Sequence, residues 1–190
     1  EAGCTLIFGV EHMKVHSKVC VAIEKDNHKT KLYTHIGTGN YNEQTARLYS
    51  DFHLITADQT IGQEALYFLQ SIQMGNIERL NQAFKSILVA PYSLKQQLLL
   101  DIQKEASCKD GHIILKMNSL TDKDIIDALY AASQAGVKID LIIRGICCLV
   151  PGQKDLSENI QVISVIGRYL EHTRAFLFKH EGEWLSYLSS

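Results

Sequence analysis

His16 stands two residues before Lys18, and His172 stands two residues before Arg174, each histidine spaced alike from a strong cation. In an extended segment residues two apart project from one face, so each pair presents an imidazole beside a fixed positive charge. That combination suits attack on phosphorus, where a nitrogen nucleophile or a proton-carrying ring must sit against anionic oxygens. Two such pairs imply two half-sites that face one another. Either pair alone would read as an ordinary surface-strand histidine, in a chain that has eight of them. The turn Gly37-Thr38-Gly39-Asn40 strengthens the first pair. It lies one hairpin beyond His16, at the mouth of the same strand pair, and its glycines let backbone N–H groups approach a ligand.

Further cations could complete a phosphate site. Arg144-Gly145 follows an apolar strand, and ligands of open α/β sheets collect at the carboxyl ends of strands, where a guanidinium offers a phosphate-shaped fork. Pairing with a surface acid is the equal alternative. Lys116 and Asn118 end the neighbouring strand and could line the same crevice or face solvent. Arg47 and Tyr49 follow the glycine turn, and Arg168 is either another clamp or a partner for Glu171. His35 reads as a structural or supporting imidazole. No Walker loop, dinucleotide fingerprint or zinc spacing is present, and Cys147-Cys148 reads as buried packing.

These residues need elements to hold them. Residues 4–10 read as a short apolar strand, and 15–23 as a second strand with His16, Lys18 and Cys20 on one face. A polar turn at 25–31 and a returning strand at 31–36 close a hairpin. The stretch 45–52 is irregular or helical. Helices are predicted over 62–74 and 76–85, broken at Gly75, followed by a strand at 87–90 and a helix at 94–107. A strand at 112–117, a helix from Thr121 as N-cap to a stop at Gly136, and a strand at 138–143 form a β-α-β unit with parallel strands. Strands at 160–166, 175–178 and 184–188 complete a second sheet. The class is α/β, with two sheet-centred modules and a boundary near residues 80–87.

Bulk properties restrict the options. The chain has 190 residues, 46% hydrophobic and 21% charged, with a formal net charge of -2, which suits a globular protein and gives nonspecific nucleic-acid binding no global support. The apolar run 139–149 is broken by Asp140 and Arg144 and falls short of the roughly 20 residues that span a bilayer. No signal peptide is evident. Five cysteines without paired spacing point to a reducing compartment. Glu1-Ala2-Gly3 reads as the tail of a helix, and the strand pattern stops at Ser189-Ser190 without a closing element, so the chain reads as an excised piece of a longer protein.

The segments Val15-His16-Ser17-Lys18, His35-Ile36-Gly37-Thr38-Gly39-Asn40-Tyr41-Asn42, Thr45-Ala46-Arg47-Leu48-Tyr49, Lys116-Met117-Asn118-Ser119-Leu120, Ala131-Ala132-Ser133-Gln134-Ala135-Gly136-Val137, Ile143-Arg144-Gly145-Ile146-Cys147-Cys148-Leu149 and Leu170-Glu171-His172-Thr173-Arg174 together closely resemble the bacterial polyphosphate kinases of the autophosphorylating type. The resemblance runs from end to end, in order.

It implies an α/β fold of two phospholipase D-like modules, both truncated, with residues 1–82 ending the first and 83–190 forming most of the second. It implies reversible transfer of the terminal phosphoryl group of ATP to inorganic polyphosphate through a phosphohistidine. On the family's pattern His16 is the nucleophile and His172 the opposing acid/base residue that also contacts nucleotide. Tyr49 and Arg144 match other ATP-contacting positions. Lys18, Asn40, Arg47 and Arg174 are assigned to phosphate oxygens from charge and proximity.

The implied cofactor is Mg2+, with ligands outside this chain. The implied partners are ATP or ADP and polyphosphate, with no nucleic acid, no membrane span and a homo-oligomeric intact protein. The implied location is cytoplasmic, with peripheral membrane association left open. Phospholipase D-type motifs carry an aspartate seven positions after the histidine, where this chain has Ile23 and Lys179. That departure disfavours a phosphodiesterase. A non-catalytic polyanion-binding module is the third reading.

Overall fold

The structure, a computed structural model, describes residues 3–82 and 84–190. The helix tail expected at Glu1-Ala2 lies outside the described residues. Residues 19–56 supply a three-stranded sheet. Strands β1 (Val19–Asp26) and β2 (Lys29–Gly37) form an antiparallel hairpin whose register sets Cys20 opposite His35. After a short helix, α1 (Glu43–Leu48), the two-residue strand β3 (Tyr49–Ser50) leaves this sheet. The chain then returns as β4 (His53–Thr56) on the free edge of β2, giving the order β1-β2-β4. Helix α2 (Gln59–Gln73) starts where the Asp58 carboxylate accepts the N–H groups of Thr60 and Ile61. Gly62 lets it close on the sheet, since a Cβ there would come within 2.7 Å of Leu32 Cβ.

The second half is built on a five-stranded sheet. Helix α3 (Leu94–Glu105) precedes β5 (His112–Met117), α4 (Lys123–Gln134) and β6 (Lys138–Ile143). The parallel pairing of β5 with β6 confirms the β-α-β unit. Strand β7 (Ile160–Ile163) adds in parallel to β6. A two-residue strand, β8 (Leu170–Glu171), then leads into the hairpin β9 (Arg174–His180) and β10 (Glu183–Ser189), and the sheet order is β10-β9-β5-β6-β7. Alternating residues of β5, β6 and β9 meet the apolar faces of α3 and α4, so Ile113, Leu129, Ile139, Leu141 and Phe178 are wholly buried in one core.

Several expectations change. Residues 4–10 form no strand; apart from a single bridge between Val10 and Met13 they have no ladder partner, and Leu6, Ile7 and Phe8 are exposed. His16 and Lys18 precede β1 instead of lying inside it. The stretch 76–85 makes only one tight turn, Ile77–Leu80, and 87–90 is irregular. The cap of α4 is Asp122, whose carboxylate takes the N–H groups of Asp124 and Ile125, and not Thr121. Strand β4 had no expectation at all. Among the described residues no helix is long and apolar enough to cross a membrane.

Candidate active site

The two sheets meet through a very small ladder. Strands β3 and β8 pair in parallel, with Tyr49 opposite Leu170 and Ser50 opposite Glu171. The carbonyl of Ser50 then accepts the N–H groups of His172 at 3.2 Å and Thr173 at 3.0 Å, and the Thr173 hydroxyl at 3.1 Å. This stitching fixes the backbone of the second histidine against the first sheet. The rings of His16 and His172 stand 6.5 Å apart, centroid to centroid, with their planes at 47°. The two half-sites therefore converge on one cleft.

Each imidazole is held by its own neighbours. Lys18 Nζ lies 2.7 Å from His16 Nδ1, 3.2 Å from Nε2 and 2.6 Å from the His16 carbonyl oxygen. The Ser190 hydroxyl also reaches that carbonyl, at 2.7 Å. Partial burial holds the His16 pKa below its usual value, and the Lys18 charge lowers it further. The ring is therefore neutral near pH 7, with a lone pair for attack. Lys18 is itself buried, and desolvation, followed by the charge of Arg174, brings its pKa down to about 8.

His172 is almost wholly buried, and its Nδ1 lies 2.8 Å from the carboxylate of Asp51. Asp51 Oδ1 also accepts the Thr38 hydroxyl at 2.6 Å. On the open side Arg174 Nη1 stands 3.3 Å from His172 Nε2 and donates to the His172 carbonyl at 2.9 Å. The Tyr49 ring packs 5.0 Å from the imidazole. The Arg174 pKa is lowered by burial and then by Arg144, so the two guanidinium groups share one neighbourhood. Arg144 Nε is buried and has no hydrogen-bond partner among the described residues. Among the described residues Lys18, Arg144 and Arg174 make no salt bridge, so the cleft holds a surplus of positive charge suited to an anion with several oxygens.

Not every candidate gathers here. Arg47 is exposed and paired with Glu43 on its own helix, and Asn40 is exposed at the turn. Glu171 pairs with Lys116, leaving Arg168 stacked over Tyr169. His35 bonds Tyr41 and, at 3.0 Å, His53. The glycine turn serves packing: a Cβ on Gly39 would meet Asp51 Oδ2 at 2.6 Å, and one on Gly37 would meet His53 Nδ1 at 2.6 Å.

Asp51 and Thr38 were missed by sequence reasoning, because no motif spacing links them to His172. The only available sign was Asp51's place just after Tyr49. The oxygen donors present do not fit a protein-held magnesium ion. Asp51 spends Oδ1 on Thr38 and His172, and among the described residues no three metal-binding side chains cluster.

Comparison with known proteins matches this arrangement to one family. The model described as polyphosphate kinase C-terminal domain 2 matches residues 87–190, and the one described as polyphosphate kinase C-terminal domain 1 matches residues 1–78. The polyphosphate kinase of Bacillus cereus is 46% identical across the whole of this chain, which covers 27% of that relative. That of Pseudomonas putida is also 46% identical over the whole chain, with 26% of its own length covered. The crystal structure of polyphosphate kinase from Porphyromonas gingivalis superposes with a TM-score of 0.82 at 38% identity, over 97% of this chain and 31% of that one. The chain thus spans about a quarter of the length of the curated relatives it matches.

Proposed function

The chain belongs to the polyphosphate kinase family, and from that premise we propose that it carries the histidine centre of an enzyme moving the terminal phosphoryl group of ATP reversibly onto inorganic polyphosphate. The observation that carries the proposal is the facing pair His16 and His172, 6.5 Å apart in a cleft of unpaired cations. Neutral His16 attacks the γ-phosphorus, the P–O bond to ADP breaks, and a P–N bond forms. Loose phosphoryl transition states are governed by position and charge neutralisation, which Lys18, Arg144 and Arg174 supply. Tyr49 and Arg144 face the nucleotide, and His172 handles protons across the cleft. Arg47 and Asn40, turned to other contacts, are left out.

A magnesium ion would arrive with the triphosphate, and no step here is routed through it. The carboxylate that steadies His172 comes from Asp51 and not from position 179, which is a lysine.

The test uses the protein at its natural length. Wild type incubated with γ-phosphate-labelled ATP should retain acid-labile label, and His16→Ala should retain none. Label persisting in His16→Ala would remove His16 from its role. Polyphosphate binding with no label in wild type would favour a binding module instead.

A further inference from the structure

A single line of hydrogen bonds runs from the glycine turn to the open face of the cleft, and both of its ends are groups that can only donate. At one end the Phe52 backbone N–H gives its proton to Thr38 Oγ1, at 3.1 Å. With a lone pair so engaged, the single hydroxyl proton of Thr38 points to Asp51 Oδ1, 2.6 Å away. At the other end the Arg174 guanidinium, which has no lone pair to offer, faces His172 Nε2 at 3.3 Å. Nε2 must therefore accept. The proton of a neutral ring then sits on Nδ1 and points to Asp51 Oδ1 at 2.8 Å. Every proton in the line runs toward the one carboxylate.

We infer that Thr38 is a positioning residue that sets the proton direction of the site, so that His172 rests as the neutral Nδ1–H form and enters the reaction as a base. The inference rests on the proposed phosphoryl transfer for its role, but not for the ring state itself. Thr38 is wholly buried and its hydroxyl bonds Asp51 and the Phe52 N–H, not either cleft imidazole, so it acts through Asp51. Gly39, packed against the other carboxylate oxygen, leaves Asp51 little room to turn. When phosphate oxygens draw Arg174 away, Nε2 is freed. In transfer from phosphorylated His16 to a polyphosphate end, the P–N bond breaks and a P–O bond forms. The proton of a protonated attacking oxygen passes to His172 Nε2, and the imidazolium is held by Asp51. The opposite direction returns that proton.

Solid-state 15N spectra of the histidine-labelled natural-length protein near pH 7 test this, with His172→Gln identifying the signals of the ring. Wild type should show Nδ1 protonated and Nε2 bare. Thr38→Val, which keeps the shape and removes the hydroxyl, should spread the ring between both forms. It should also lower kcat about 10- to 100-fold with the KM for ATP nearly unchanged, as outer hydrogen-bond partners of functional imidazoles do. Thr38→Ser should restore both. A wild-type ring protonated on both nitrogens, or on Nε2 alone, overturns the inference whatever the variants do. So does an unaltered ring in Thr38→Val. A wild type that makes no polyphosphate would instead defeat the proposed function and leave the ring assignment standing.

Discussion

Asp51 accepts a hydrogen bond from Nδ1 of His172 at 2.8 Å, although 121 residues separate the two in the chain. The carboxylate comes from the segment between β3 and β4 and the imidazole from the segment between β8 and β9. One half-site therefore depends on a residue of the opposite sheet. The two-residue ladder of Tyr49 and Ser50 with Leu170 and Glu171 puts them in register. The His172 ring is not positioned by either sheet alone, and its orientation is set where they meet.

Asp51→Asn tests that dependence. The amide keeps the size of the carboxylate but offers its NH2 as readily as its oxygen, so the ring is no longer obliged to carry its proton on Nδ1. Loss of the analogous carboxylate in a serine-protease triad costs about 10,000-fold in kcat. Here a fall of about 100-fold or more is expected, with melting temperature within a few degrees of wild type. Steady-state polyphosphate synthesis read beside thermal unfolding checks this. A variant with wild-type turnover would make the contact structural only.

Lys18 carries a pH prediction. Burial, then Arg174, brings its pKa from 10.5 down to about 8. The folded protein therefore binds fewer protons than the unfolded chain between those values, and Lys18 makes stability rise with pH across that window. Its effect on phosphate binding has the opposite sign, because the ammonium is lost as pH climbs past about 8. kcat/KM for polyphosphate should fall above that pH. In Lys18→Arg the charge persists, so the alkaline limb should move upward even if the maximum is lower. Identical limbs in the two proteins would exclude Lys18 as the titrating clamp.

Gly39→Ala addresses the packing behind the carboxylate. The added methyl would lie 2.6 Å from Asp51 Oδ2 and 2.7 Å from its Cγ, so the carboxylate must shift and its bond to His172 must lengthen. Misplacement by about 1 Å can cost on the order of 100-fold in rate. The expected loss is about 10- to 100-fold in kcat. In an Asp51→Ala background the carboxylate is gone and only the Cβ of residue 51, 2.9 Å from the methyl, is left to give way, so the two effects on kcat should be strongly non-additive. Additive losses in the double mutant would count against this mechanism.

Elements with a local signal were legible in the sequence. Strands β5 and β6, with helix α4 between them, follow from apolar periodicity and a glycine stop, and their bounds match closely. His16, Lys18, His172, Arg174, Arg144 and Tyr49 were legible from residue type, spacing and resemblance, and the fold brings them together. Asp51 and Thr38 were not, because their importance lies in a contact between sheets that no periodicity encodes. Arg47 misled because its helix gives it Glu43 one turn away, a nearer partner than any substrate. The apolar run 4–10 misled because an apolar segment without a neighbouring strand is not a sheet.

Glu171→Gln tests the ladder itself. The Glu171 carboxylate pairs with Lys116 beside the strand that meets Ser50, and that hydrogen bond holds its pKa below the usual 4.5. A depressed carboxyl contributes stability that is present above its unfolded pKa and is lost as pH falls through the folded value. Wild type should therefore lose part of its melting temperature on acidification below about pH 4.5. The variant should be less stable by about 1 kcal/mol at pH 7 and show a shallower decline in acid. Because Glu171 adjoins His172, kcat should fall together with stability. Equal acid dependence in the two proteins would show that the Lys116–Glu171 pair adds nothing to holding the two sheets in register.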